Sequence, residues 1–206
     1  NREITGLLYG NRTQASWPYK AEGFDFYDVK GLMEAVLTSL GIHAQLRVSD
    51  YAPLHPGKAA EYVVGDTVLC RFGELHPQCV DNYDVAGPVY VFEMYLKDLL
   101  PLINLIPDYH KVGKFPALTR DLAVLVPVSA KHADLLNVIR EKGGQYLEGV
   151  HLFDVYSGEQ VSRGFVSLAF ALTFRSSEGT LSDADIQQPV TDILEELQEK
   201  AGAKLR

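Results

Sequence analysis

The sequence has no apolar run approaching the roughly 20 residues that a membrane-spanning helix needs, so no helical anchor or membrane partner is expected of it. It is also short of cysteine. The two present, Cys70 and Cys79, have eight residues between them, which fits neither a zinc knuckle nor a CxxC redox pair. They read as buried or bystander thiols in a reducing cytosol, which places the chain in the cytoplasm. Positive charge is lacking as well: 19 Lys and Arg face 27 Asp and Glu, a net charge of −8, which argues against a protein that coats nucleic acid non-specifically. Over residues 113 to 206 the balance is 10 Lys and Arg against 13 Asp and Glu, so an RNA contact there must rest on shape and a few placed side chains. The start, Asn1-Arg2-Glu3-Ile4, has neither an initiator Met nor the layout of a secretory signal, and a cut fragment is expected. Internal repeats and low-complexity tracts are missing too.

What remains is ordinary globular material. With 47% hydrophobic and 22% charged residues over 206 positions, the chain can bury one large core or two small ones. Ile4 to Tyr9 reads as a strand. Asp28 to Leu40 reads as a helix with Leu32, Val36 and Leu40, and Met33 and Leu37, recurring at intervals of four, and Gly41 ends it. Glu61 to Val64 and Thr67 to Phe72 are β-rich runs around the hairpin signal Gly65-Asp66, and Val89 to Met94 is a further strand. Antiparallel strands with a few helices on one side predict an α+β layer. Pro101, Pro107, Gly113 and Pro116 then break the pattern, which predicts a first domain over 1 to 110 and a second over 113 to 206.

The second domain reads as βαββαβ, a ferredoxin-like order: a strand at Asp121 to Val126, a helix at His132 to Lys142, strands at Leu147 to Tyr156 and Phe165 to Arg175, a helix at Asp183 to Lys200 and a short end from Ala203 to Arg206. Ser182 and Asp185 resemble a capping box, and Pro189 is expected to kink that helix or displace its start. In Phe165 to Arg175 the alternation is sharp. Val166, Leu168, Phe170, Leu172 and Phe174 are assigned to the helices; Phe165, Ser167, Ala169, Ala171, Thr173 and Arg175 fall on a small, polar face predicted to be open. Asp154 and Tyr156 share one face of the preceding strand, and a tyrosine at a strand end can stack on a base.

Arg163-Gly164-Phe165-Val166-Ser167-Leu168-Ala169-Phe170 matches the RNP1 pattern of RNA-recognition motifs only in part. Ser167 stands where a stacking aromatic belongs, and Asp121-Leu122-Ala123-Val124 has no aromatic. The loop Pro127-Val128-Ser129-Ala130 carries neither the anion loop of an acylphosphatase nor the Gly of an amino-acid-sensing ACT domain. A face that simply meets solvent or another domain remains the alternative.

Lys114-Phe115-Pro116-Ala117-Leu118-Thr119-Arg120-Asp121-Leu122-Ala123, then Leu152-Phe153-Asp154-Val155-Tyr156-Ser157-Gly158, then the terminal Leu205-Arg206, resemble the ferredoxin-fold anticodon-binding domain of bacterial phenylalanyl-tRNA synthetase β subunits. Upstream, Phe26-Tyr27-Asp28-Val29-Lys30-Gly31, Leu54-His55-Pro56-Gly57-Lys58-Ala59, Gly73-Glu74-Leu75-His76-Pro77 and Val91-Phe92-Glu93 are similar to the class II-like core of the same subunit. The resemblance implies a non-catalytic segment whose second domain binds the anticodon stem-loop of tRNA-Phe. It also implies an (αβ)2 heterotetramer whose α subunits aminoacylate with ATP and Mg2+, no cofactor falling to this segment. On matching motifs Tyr156 would stack on or beside an anticodon base, Ser167 would hydrogen-bond it and Arg206 would hold base or phosphate. Asp154 and Arg175 complete the candidate RNA-binding set, and Arg163 and Lys204 are auxiliaries. The turn from Gly158 to Ser162 is expected to carry little.

In the first domain the class II signatures Phe-Arg-x-Glu and G-x-G-x-G-x-x-R are missing. His55-Pro56 and His76-Pro77 lack carboxylate or Cys neighbours at ligand spacing and read as turn-formers. Glu74 and Glu93 are a possible carboxylate pair. The domain reads as scaffold for an α subunit, and a purely structural interaction module is the rival to RNA binding.

Overall fold

In the computed structural model, residues 2–106, 109, 113–158 and 160–205 are described, and every count below is of those residues. The chain divides into two compact units, Asn1–Tyr109 and His110–Arg206.

The first unit contains β1 (Glu3–Tyr9), β2 (Asn11–Thr13), β3 (Glu22–Gly23), α1 (Phe26–Ser39), β4 (Gln45–Val48), β5 (Leu54–Val64), β6 (Thr67–Leu75), α2 (Pro77–Asp81), β7 (Val89–Tyr95) and α3 (Leu96–Leu99). Five strands form an antiparallel sheet in the order β1-β7-β6-β5-β4, while β2 and β3 pair separately. The helix α1 begins earlier than apolar periodicity suggests, because Asp25 accepts from the backbone N–H of Tyr27 and Asp28 while the Asp28 carboxylate accepts from Asp25 N at 2.7 Å. This reciprocal cap satisfies helix donors that hydrophobic spacing does not register. Its buried stripe is Val29, Met33 and Leu37, and Leu32, which was assigned to the stripe, is exposed. Phe72 fills the core between Phe26 and Tyr62, with ring centroids 5.7 and 5.4 Å away. Gly41 does terminate the helix, with φ +67° and no room for a Cβ beside the Asn104 carbonyl.

The second unit contains β8 (Leu118–Pro127), α4 (His132–Lys142), β9 (Leu147–Tyr156), β10 (Phe165–Phe174), α5 (Asp183–Ala201) and β11 (Lys204–Leu205). Its antiparallel sheet has the order β11-β8-β10-β9, the ferredoxin-like arrangement that the βαββαβ order predicts. Leu122, Val124 and Val126 of β8 and Leu168, Phe170, Leu172 and Phe174 of β10 are buried against Leu135, Val138 and Ile139 of α4 and Ile186, Ile193 and Leu197 of α5. Both helices therefore cover one face, and Lys142 of α4 ties them together through Glu196 of α5 at 2.8 Å, while Lys200 meets the same carboxylate from one turn along α5. Asp185 accepts from the Ser182 backbone N–H and hydroxyl at 2.7 Å, marking the start of α5 as expected. The helix then runs through Pro189 without ending or restarting, so its start is not displaced.

Candidate nucleic-acid interface

The face of the second sheet turned away from α4 and α5 is laid out in transverse rows, because directly opposed residues in an antiparallel ladder point to the same side. Pro127 opposes Phe165 at one end. Next comes a row of Lys204, Leu125, Ser167 and Tyr156, then Ala123, Ala169 and Asp154, then Asp121, Ala171 and His151. Tyr156 and Ser167 are thus direct cross-strand neighbours, and Asp154 lies in the adjoining row on the same side, as the alternation predicts. Tyr156 is half-buried and Asp154 exposed.

Ser167 departs from expectation. It is only 3% exposed, walled by Leu125 on one side and Tyr156 on the other, so the small face of β10 is recessed here and not open. A β-bulge explains part of the surrounding shape. The register shifts between Ala169 and Phe170, which makes Phe153 an extra residue in β9, 51% exposed and outside the core. Phe165 adds a second ring: the Lys204 ammonium sits 5.6 Å from its centroid, within cation–π range. Sequence reasoning placed Phe165 on this face and missed the exposure of Phe153. The alternation of β10 carried the signal for Phe165, whereas a bulge cannot be read from one strand.

Two members of the candidate set stand apart. Arg206 lies outside the described residues. Arg175 sits just past the far end of β10, eight residues and roughly 26 Å along the strand direction from Ser167. Its guanidinium donates to both Glu148 oxygens at 3.0 Å and to the Phe115 carbonyl at 2.9 Å, so it clasps the segment entering β8. The structure brings Tyr156, Ser167 and Asp154 together and does not bring Arg175 to them. Gly158, expected to carry little, is packed under Tyr156: a Cβ there would overlap the Tyr156 ring and hydroxyl.

The first unit has a polar face of a different kind. Across its sheet, on the side away from α1, Thr5, Glu93, Arg71, Glu61 and Arg47 form one row of alternating charge. Arg47 meets Glu61 at 2.6 Å and Arg71 meets it at 3.1 Å, while Tyr51 and Tyr95 donate to Glu93 at 3.4 and 3.2 Å. Burial alone would raise the Glu61 pKa, but the hydrogen bonds from Arg47 and Arg71 outweigh it and hold the carboxyl below its usual range. A cavity of about 480 Å3, lined by Thr5, Tyr51, Leu54, Arg71, Val91 and Glu93, lies beside this row. Glu74 belongs to the other face, held by Lys58 and Tyr90, so it does not pair with Glu93. His55 falls within β5 with its Nδ1 accepting from Gly57 N, and His76 caps α2, its Nδ1 accepting from Gln78 N. Among the described residues no group of His, Cys, Asp and Glu is placed to hold a metal ion. Cys70 and Cys79 are unpaired with each other, and burial pushes the Cys70 thiol up to about 11.

Against this geometry, residues 113–206 match the family model described as the ferredoxin-fold anticodon binding domain, and residues 1–96 match that of the phenylalanyl tRNA synthetase beta chain CLM domain. The chain belongs to the phenylalanyl-tRNA synthetase β-chain family. It is 37% identical over 205 residues to the phenylalanine–tRNA ligase beta subunit of Listeria monocytogenes, covering 98% of this chain and 25% of that protein. The corresponding protein of Clostridium acetobutylicum is 39% identical over 205 residues, covering 98% and 24%, and that of Symbiobacterium thermophilum 39% over 200 residues, covering 97% and 22%. The chain spans about a quarter of the length of the curated relatives it matches. In this β-chain family segment, Tyr156, Ser167 and Asp154 all fall inside the anticodon-binding match, and the alternating charge row falls inside the other.

Proposed function

We propose that this chain is the C-terminal part of a phenylalanyl-tRNA synthetase β subunit and that its second unit binds the anticodon stem-loop of tRNA-Phe. The observation that carries the reading is the direct pairing of Tyr156 with Ser167 on the sheet face opposite the helices, within the anticodon-binding match. Tyr156 offers a ring to a base, Asp154 accepts hydrogen bonds from N–H groups on a base edge, and Ser167 stands between the two flanking strands as the hydroxyl nearest Tyr156. Arg206, two residues after Lys204, remains a proposed phosphate or base ligand. Arg175 is assigned instead to clasping the chain at Phe115. With a net charge of −8, such binding is selective and sparse, not a broad electrostatic platform.

The first unit corresponds in this reading to a class II-like core that packs against the α subunit, in an (αβ)2 assembly working in the cytoplasm. Aminoacylation, with ATP and Mg2+, belongs to the α subunit, and the charge row of Glu93, Arg71, Glu61 and Arg47 rigidifies the scaffold.

Hydroxyl-radical footprinting of tRNA-Phe on the assembled enzyme tests the reading. Protection of the anticodon loop that is lost on Tyr156→Ala is expected. Protection confined elsewhere on the tRNA would instead favour a module that packs its sheet on protein.

A further inference from the structure

The row that contains Tyr156 and Ser167 continues across the sheet to Lys204, and this gives the face a direction. Among the described strand residues on this side, Lys204 is the single Lys or Arg, while Asp154 and Asp121 occupy the two rows beyond it. Lys204 is exposed and forms no ion pair among the described residues, and its ammonium is held near the Phe165 ring. A phosphate brought onto the Asp154 or Asp121 rows would meet like charge, whereas one brought to the Lys204 end would meet its counter-charge. Four strands at about 4.8 Å spacing put roughly 14 Å between the Tyr156 and Lys204 backbones, more than a single base spans.

From this asymmetry we infer that the RNA strand crosses the sheet along the row Tyr156, Ser167, Leu125, Lys204, one base stacking at Tyr156 and a backbone phosphate further along the strand bound by Lys204, which Phe165 holds in place. The inference rests on the anticodon-binding reading and adds to it the path and polarity of contact. Bases then turn inward over Ala123 and Ala169, whose small side chains leave room, and toward Asp154. The exposed Arg163, two residues before Phe165, places further positive charge at the same end of the sheet.

The test uses the intact α- and β-subunit enzyme and a tRNA-Phe anticodon stem-loop, with affinity measured across a salt series. Lys204→Met keeps an apolar, sulfur-bearing side chain for Phe165 but removes the charge. It is expected to weaken binding several-fold at low salt, to lose that difference at high salt, and to lower the slope of log K against log salt by about 0.7, one single-strand phosphate contact. Lys204→Arg is expected to retain the native slope. An unchanged slope in Lys204→Met, with Tyr156→Ala still weakening binding, would overturn the path while leaving the anticodon reading intact. Loss of effect in Tyr156→Ala as well would remove the reading itself. A scan of single methylphosphonate substitutions in the stem-loop, made on the native enzyme, is independent of variant folding. One neutralised position should reproduce the slope change of Lys204→Met, and no sensitive position outside the base at Tyr156 would again overturn the path.

Discussion

The ring of Tyr156 lies against Gly158, so closely that a Cβ at position 158 would overlap its hydroxyl and ring carbons. The conflict involves the end of a side chain and no backbone, which means Gly158→Ala is expected to fold and to displace the ring. RNA affinity should fall with little change in melting temperature. A calorimetric binding measurement beside a thermal melt checks this, and unchanged affinity would show that the ring position is immaterial.

Ser167 is buried between Leu125 and Tyr156, so its small volume matters as much as its hydroxyl. Ser167→Ala keeps the recess and is expected to cost about 0.5–1.5 kcal/mol of RNA binding, the net worth of one hydrogen bond. Ser167→Leu fills the recess and should weaken binding further while leaving α4 and α5 packed. Titration of both variants with the stem-loop orders them; a Leu variant that binds as the Ala variant does would contradict the recess.

Arg175 is expected to act on stability and not on RNA. Removing it in Arg175→Ala breaks its bonds to Glu148 and to the Phe115 carbonyl, with a loss of about 1–2 kcal/mol given that both charged side chains keep solvent contact. Denaturant unfolding reads the loss, and stem-loop affinity should stay native at temperatures where the variant is folded.

Glu61 gives a pH dependence in the first unit. Its pKa is lower in the folded state than in the unfolded chain, so the stability it contributes is present above the ordinary carboxylate range and is lost as pH falls through the folded value. Glu61→Gln is expected to cost on the order of 2 kcal/mol near neutrality, less than the roughly 3–5 of a fully buried pair because Arg47 and Arg71 retain solvent. The difference from native should shrink in acid. Unfolding curves from neutral to acidic pH measure it, and a gap that widens in acid would reverse the sign of this account.

Periodicity was enough to place α4 and most of β10, since their apolar residues serve one buried face and little else, and the run of β-formers placed β9 although none of its residues is fully buried. It was weaker where side-chain chemistry sets the boundary: Asp25 begins α1 ahead of its apolar stripe, and His55-Pro56-Gly57, which reads as a turn, lies inside β5. Pairing across strands was the larger gap. The row of Glu93, Arg71, Glu61 and Arg47 joins four strands whose register no single segment specifies, and the bulge that exposes Phe153 exists only relative to β10. The burial of Ser167 has the same origin, because its neighbours Leu125 and Tyr156 come from two other strands. Tyr156 and Asp154 were legible because both stand on one strand at spacing two.

The most direct test of the central claim compares Tyr156→Ala with Tyr156→Phe in the intact enzyme for affinity toward the tRNA-Phe anticodon stem-loop. Stacking needs the ring, so the Phe variant is expected to bind within a few-fold of native while the Ala variant loses about 1–3 kcal/mol, roughly 5- to 150-fold. Native affinity in the Ala variant would contradict the claim that this sheet face grips the anticodon.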